Sequence, residues 1–159
     1  MARQHDTAAP KLRVFLADDE PVVLRGLRLL LGLEANLTVC GEAENEQEAF
    51  EGIRKLRPHV AVVDLSFKEG DGLSLITRLH ELCPTVKILV FSMHDQVDFA
   101  SAAFAAGAHG YVVKEEGTEK VVEAIQVVLV GGRYLSERIA AKAPGLAPRM
   151  GPRGKTRRS

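Results

Sequence analysis

Short, almost continuously apolar runs alternate with longer amphipathic segments, and this alternation repeats five times along the chain. The runs have the length of strands, and their lack of polar alternation indicates burial on both faces. The runs are LRVFLADD, LTVCGEA, VAVVDL, KILVFSM and GYVVK. The segments with helical spacing are 21–34, 45–57, 73–83, 98–108 and 119–131. This order predicts an α/β fold, a doubly wound five-stranded parallel sheet with helices on both faces.

Polar side chains close four of the apolar runs. They are Asp18 with Asp19, then Asp64, Ser92 and Lys114. Because the carboxyl ends of parallel strands share one edge of the sheet, we expect these groups to converge in one crevice. Three carboxylates, a hydroxyl and an ammonium suit a divalent cation and a phosphoryl group. The sequence therefore predicts Mg²⁺ binding and a phosphate carried on an aspartate.

Each of these residues also has a purely structural interpretation. Asp18 and Asp19 precede Pro21, and Asp19 is placed to cap the helix that starts there. Ser92 alone is typical of a strand end, and Lys114 alone of a solvated surface. An acid that closes a buried run, as Asp64 does, is costly without a partner. Only their joint placement favours a single site.

The charge of the 159-residue chain is zero overall but unevenly distributed. Residues 142–159 hold six of the 21 basic residues and no acid, so 15 basic residues face 21 acidic ones in residues 1–141. A Pro-, Gly- and Arg-rich segment of this kind cannot bury a core. We expect it to be a disordered linker or a nonspecific nucleic-acid contact that gains affinity by counterion release.

The composition predicts one compact domain with short tails. We expect a disordered tail over 1–10, the domain over 11–135, and a short helix capped by Ser136 followed by the disordered basic tail over 136–159. The two cysteines form no disulfide framework, and His80 and His94 lack metal-ligand spacing and are expected at the surface. No apolar run approaches the roughly 20 residues of a membrane span, so a cytoplasmic protein without a membrane partner is expected.

Taken together, these residues resemble the receiver domain of bacterial response regulators over about residues 11–135. The segment DLSFKEGDG matches the family's loop, and AAGAHGYVVKEE and GGRYLS look most like the NarL/FixJ branch. The residues that carry the resemblance, in the family's order, are Asp18, Asp19, Asp64, Asp71, Gly72, Ser92, Tyr111 and Lys114. The resemblance implies a flavodoxin-like strand order of 2-1-3-4-5.

The resemblance also implies a role for each site residue. Asp64 would be the phosphoacceptor, and Mg²⁺ would be held by Asp19, Asp64 and the backbone carbonyl of Ser66. Asp18 would act mainly through a metal-bound water. Lys114 would pair with one phosphoryl oxygen.

Ser92 would hydrogen-bond to another phosphoryl oxygen and, with Tyr111, form the switch. As Ser92 turns toward the phosphoryl group, Tyr111 would swing inward from an exposed rotamer. Phosphorylation would change the surface formed by the fourth helix, fifth strand and fifth helix. On this surface the small side chains of Ala102, Ala103 and Ala106 allow close approach of a partner.

The implied partners are a sensor histidine kinase and a second copy of the chain, which would dimerise on phosphorylation. The chain would catalyse only its own aspartyl phosphorylation and dephosphorylation. NarL/FixJ members usually continue into a helix-turn-helix domain, which is not seen after residue 135. We therefore expect either a stand-alone receiver or a truncated regulator, with DNA as a partner only where an output domain is present.

Two residues depart from the family pattern. Lys68 stands where proline is common, four residues after the acceptor, and Phe67 stands where Met or Leu is common. These departures bear on the conformation of the loop and on the lifetime of the phosphoryl group.

Three other classes remain open from the sequence. A flavin-binding module is disfavoured because the acidic crevice repels a flavin phosphate. An aspartate-nucleophile phosphatase needs an acid two residues after the nucleophile, where this chain has Ser66. A pseudo-receiver acting as a protein-binding scaffold is disfavoured by the intact Asp19, Asp64 and Lys114.

Overall fold

The computed structural model describes residues 10–146. The strands are β1 (Leu12–Ala17), β2 (Leu37–Ala43), β3 (Val60–Val63), β4 (Lys87–Ser92), β5 (Gly110–Val113) and β6 (Tyr134–Leu135). The helices are α1 (Pro21–Leu31), α2 (Glu46–Leu56), α3 (Gly72–Leu82), α4 (Val97–Ala106), α5 (Glu119–Leu129) and α6 (Glu137–Lys142). Single 3₁₀ turns follow β5 and α6, at Lys114–Glu116 and Pro144–Leu146. The tails expected to be disordered fall largely outside the described residues.

The strands form one parallel sheet in the order β2-β1-β3-β4-β5-β6. The predicted α/β class and the five-strand order are confirmed. A sixth strand of two residues, Tyr134–Leu135, extends the sheet beside β5 and was not predicted. A strand this short leaves no periodicity for the sequence to reveal.

Alternate residues of each strand enter two separate cores, because successive side chains point to opposite faces of a sheet. On one face Leu16 and Val62 pack with side chains of α1 and α5. On the other face Phe15 and Val63 pack with side chains of α2, α3, α4 and α6. Both faces are therefore covered, as the continuous apolar strands indicated. Among the described residues, none of the helices has the length and apolar character needed to cross a membrane.

Helix caps differ from the expectation at two places. The residue before α1 is Glu20, whose side chain makes no cap; instead Oδ1 of Asp18 accepts its backbone N–H over 2.9 Å. Asp19 therefore does not cap this helix. Ser136 precedes α6, but its hydroxyl oxygen accepts the N–H of Val113 over 2.8 Å and ties α6 to the end of β5. The Ser136 hydroxyl therefore makes a tertiary contact rather than a cap for its own helix.

Candidate functional site

The carboxyl edge of the sheet brings four of the predicted residues together. Asp18 follows β1, Asp64 follows β3, Ser92 ends β4 and Lys114 follows β5. The backbone fixes this edge, since the N–H of Asp64 donates to the carbonyl of Ala17 over 3.0 Å. Parallel pairing alone thus places these side chains in one crevice.

Lys114 is the centre of the charge cluster. Its ammonium lies 2.8 Å from Oδ2 of Asp18, 2.8 Å from Oε1 of Glu20 and 3.1 Å from Oδ2 of Asp64. An ammonium has three donors, and each of them meets a carboxylate here. Glu20 was missed in the sequence, although the run ADDEP places it directly after the acidic pair.

Burial raises the pKa of the two central acids. Asp18 is 3% exposed and Asp64 5%. Burial raises the pKa of Asp18 to about 6, with a further contribution from the charge of Asp64, while the hydrogen bond from Lys114 opposes the rise. Burial also raises the pKa of Asp64 against the attraction of Lys114. Burial alone would lower the pKa of Lys114, but its bonds to Asp18 and Glu20 raise it, so the ammonium stays charged.

Asp64 is held in one orientation by its own loop. Its Oδ1 accepts the backbone N–H of Leu65 over 2.7 Å and, less closely, that of Ser66 over 3.4 Å. Its Oδ2 faces Lys114. The carboxylate thus presents one oxygen to the cationic side of the crevice.

Asp19 points elsewhere. Its Oδ2 accepts the backbone N–H of Lys68 over 2.7 Å, in the loop between β3 and α3. The acids whose ligand atoms lie within 4.8 Å of one another are Asp18, Glu20 and Asp64. Asp19 is not among them, although it was predicted as a metal ligand together with Asp18, Asp64 and the backbone carbonyl of Ser66. Ser66 lies beside the site, with its hydroxyl 3.0 Å from Nε2 of His94.

Ser92, Tyr111 and His94 form a partly buried contact behind the crevice. The hydroxyl oxygen of Ser92 accepts the N–H of His94 over 3.1 Å, and Tyr111 donates its hydroxyl to the carbonyl of His94 over 2.8 Å. Tyr111 is fully buried, so the structure shows the inward rotamer and not the exposed one expected as a starting state. Burial raises the pKa of its hydroxyl to about 12.

His94 was expected at the surface, and the structure adds contacts that the sequence did not indicate. Its ring is half-buried and stacks on Phe99 with centroids 4.0 Å apart. It links the loop after β3, through Ser66, with the loop after β4. No signal within the sequence around position 94 indicates this role, because its partners lie on other elements. His80 is exposed, as expected.

The donor set fits a hard divalent cation. Carboxylate oxygens are the ligands that Mg²⁺ prefers, and Asp18, Glu20 and Asp64 place such oxygens close together at one edge. Two of these acids are buried, so an added positive charge would offset their mutual repulsion.

Known proteins resemble this chain in sequence and fold. The profile of the response regulator receiver domain matches residues 14–126. The transcriptional regulatory protein MctR of Rhizobium johnstonii is 32% identical over 152 residues, covering 90% of this chain and 71% of its own length. This chain spans 71% of the length of MctR and 55% of the length of DegU from Brevibacillus brevis.

Two solved structures illustrate the similarity of the fold. A LuxR-family two-component response regulator from Aurantimonas has a TM-score of 0.81 at 33% identity, covering 85% of this chain and 96% of its own. RcsB from Salmonella enterica serovar Typhimurium, bound to a promoter with the phosphomimetic BeF₃⁻, has a TM-score of 0.76 at 28% identity. The match covers 84% of this chain and 67% of RcsB.

Proposed function

This chain belongs to the response regulator receiver domain family, and on this premise we propose that Asp64 accepts a phosphoryl group from a sensor histidine kinase in a Mg²⁺-dependent reaction. The chain is homologous to two-component response regulators, several of them transcriptional regulators and none a conventional enzyme. The phosphorylated state would then switch protein–protein contacts and, through them, transcriptional output. The cytoplasm is the proposed location.

The observation that carries the proposal is the environment of Asp64. It is a buried carboxylate whose Oδ1 is fixed by backbone N–H groups, while its Oδ2 faces Lys114 over 3.1 Å. In the proposed reaction a carboxylate oxygen attacks the phosphorus, the P–N bond of a phosphohistidine breaks, and the imidazole leaves. Lys114 then exchanges a carboxylate for a phosphoryl oxygen, and Ser92 turns to donate its hydroxyl to another.

The residues proposed to hold Mg²⁺ are Asp18, Asp19, Asp64 and the backbone carbonyl of Ser66, to which the structure adds Glu20. When bound, the ion supplies Lewis-acid neutralisation of the negative charge on the phosphoryl oxygens. The chain's own catalysis is limited to forming and hydrolysing the aspartyl phosphate.

The acceptor is tested by mass spectrometry of the intact protein. Incubation with Mg²⁺ and acetyl phosphate should add one phosphoryl mass to the wild type and none to Asp64→Ala. Asp98→Asn is the matched control, because Asp98 is an exposed acid of α4 outside the cluster. Undiminished labelling of Asp64→Ala would refute the assignment. A folded wild type that takes no label with Mg²⁺ present would instead support a scaffold without phosphorylation.

A further inference from the structure

The loop between β3 and α3 is tied to the acidic pair by a backbone hydrogen bond. The N–H of Lys68 donates to Oδ2 of Asp19 over 2.7 Å. A bond of this length to a carboxylate is charge-assisted and stronger than a neutral one. The donor exists because residue 68 is not proline, the one residue type without a backbone N–H.

This bond separates Asp19 from the other acids. Lys114 contacts Asp18, Glu20 and Asp64, whose ligand atoms lie within 4.8 Å of one another, and Asp19 is not among them. The negative charge of Asp19 is therefore balanced by a peptide dipole of the loop rather than by the ammonium. Lys114 thus contacts three carboxylates, and Asp19 is not one of them.

The far end of the same loop is anchored independently. Oε1 of Glu46 accepts the N–H of Asp71 over 2.8 Å, and Oε2 accepts from Ser74 over 2.8 Å and from Arg78 over 3.1 Å. Burial would raise the pKa of Glu46, but these donors lower it, so the anchor is a carboxylate. Because Glu46 fixes the loop, losing the Lys68 bond should free Asp19 without displacing the loop.

We propose that the backbone N–H of Lys68 is a positioning group that withholds Asp19 from the cation, so that Mg²⁺ binds at the expense of this hydrogen bond. The inference rests on the proposed Mg²⁺ site and deepens it. A hydrogen bond that must break before Mg²⁺ can bind lowers the affinity for the ion by the same factor by which it stabilises the unbound state. One hydrogen bond to a charged group corresponds to about a tenfold reduction in Mg²⁺ affinity.

The test compares Lys68→Pro with Lys68→Ala by isothermal titration with MgCl₂. Both variants lose the ammonium, so its electrostatic effect on the cation cancels, and only proline also loses the N–H. The φ angle of Lys68 is not positive, as proline requires, because Arg57 is the only non-glycine residue with positive φ among the described residues. Lys68→Pro should bind Mg²⁺ about tenfold more tightly than Lys68→Ala.

Equal or weaker binding by Lys68→Pro would overturn the inference and leave the proposed function intact. Absence of Mg²⁺ binding by the wild type would overturn the proposed function itself. Amide exchange of Lys68 in the wild type, followed by NMR, decides the matter even where the proline variant does not fold. Its exchange should be slow without Mg²⁺ and faster with Mg²⁺; unchanged or slower exchange on adding Mg²⁺ would overturn the inference.

Discussion

At the scale of single residues, Lys114 balances the charges of the crevice. Its side chain is 14% exposed and contacts three carboxylates. Asp18 and Asp64 have little access to water, so their charges depend on this ammonium. A second cation that binds these carboxylates would therefore also stabilise their charges.

Replacing Lys114 with methionine should lower the free energy of unfolding at pH 7.5 by about 3–5 kcal/mol, because it leaves buried carboxylates unpaired. Urea unfolding measures the change, and added Mg²⁺ should restore part of it. Lys120→Met is the control: Lys120 pairs with Glu123 at the surface, where such a pair contributes less than about 1 kcal/mol. Equal losses in both variants would contradict a central role for Lys114.

His109 makes the stability of the fold depend on pH. It lies directly before β5, at the edge of the sheet opposite the crevice. Burial lowers its pKa, as do the charges of Lys87, His80 and Arg133, and its Nδ1 accepts the N–H of Ile88 over 2.9 Å. The folded state thus prefers the neutral ring. Its contribution to stability is present above the unfolded pKa of about 6.5 and is lost as pH falls through the lowered folded value.

As the pH falls from 7.5 to 5, the wild type should therefore lose more of its unfolding free energy than His109→Asn does. Asparagine can still accept from Ile88 but does not titrate. Taking the difference removes the opposite trend expected from Asp18, whose raised pKa favours folding at lower pH. If the unfolding free energies of the two proteins change with pH in parallel, His109 does not control the pH dependence of stability in this range.

The sequence predicted which residues meet but not how each one points. Asp18, Asp64, Ser92 and Lys114 converge because strand ends in a parallel sheet share an edge, and the apolar runs locate those ends. The direction of Asp19 depends on the N–H of Lys68, 49 positions away, in a loop without periodicity. The orientation of His94 likewise depends on Ser66, 28 positions away, and on the ring of Phe99.

At the scale of elements, the loop between β3 and α3 depends on Gly70. This residue has a φ of +111°, and a Cβ placed on it would lie 2.3 Å from the Cβ of Glu46. Both the backbone angle and the contact exclude a side chain. The loop and the start of α2 can approach closely only because position 70 is glycine.

Gly70→Ala should therefore destabilise the domain by about 1–3 kcal/mol, through strain at positive φ and through the clash with Glu46. Gly26→Ala is the contrasting variant, since Gly26 lies within α1 and has nothing within 4 Å of an added Cβ. Alanine there should stabilise the domain by about 0.5–1 kcal/mol. Chemical denaturation measures both changes in unfolding free energy. Changes of the same sign in the two variants would contradict this account.

At the scale of the whole molecule, α6 covers part of the surface expected to receive a partner. Ile139 of α6 is fully buried in the same core as Ala103 of α4. Ala102 and Ala106 are half-buried, so the small-residue face is less open than the sequence indicated. The sequence predicted a short helix here, but its docking depends on Ile139 reaching a core formed by distant elements.

The same helix is tied to the loop that leaves the proposed site. Nζ of Lys142 donates to the carbonyl of Asp95 over 2.9 Å, and Arg138 lies 3.6 Å from the Asp95 carboxylate. The neighbouring His94 receives the contacts of Ser92 and Tyr111. A change in Ser92 is thus connected to α6 through the His94–Asp95 backbone and the contacts of Asp95 with Lys142 and Arg138.

We expect phosphorylation to loosen α6 and to change self-association. Ser92 cannot accept the N–H of His94 in its present geometry once its hydroxyl turns to a phosphoryl oxygen, so the loop at Asp95 loses one of its fixed points. A differential effect of about 1–3 kcal/mol suffices to shift two existing states. Release of α6 would expose Ile139 and Ala103, an apolar surface that a second copy can cover.

Hydrogen exchange and sedimentation with BeF₃⁻ and Mg²⁺ test this expectation. Amides of residues 92–96 and 137–142 should exchange faster, and the sedimentation coefficient should rise, in the wild type but not in Asp64→Ala. Lys142→Met should raise exchange in α6 without BeF₃⁻, because it removes one tie to Asp95 and leaves the crevice unchanged. Faster exchange without a rise in the sedimentation coefficient would show that phosphorylation loosens α6 but does not cause self-association. If neither the amide exchange nor the sedimentation coefficient changes, phosphorylation of Asp64 does not alter this surface.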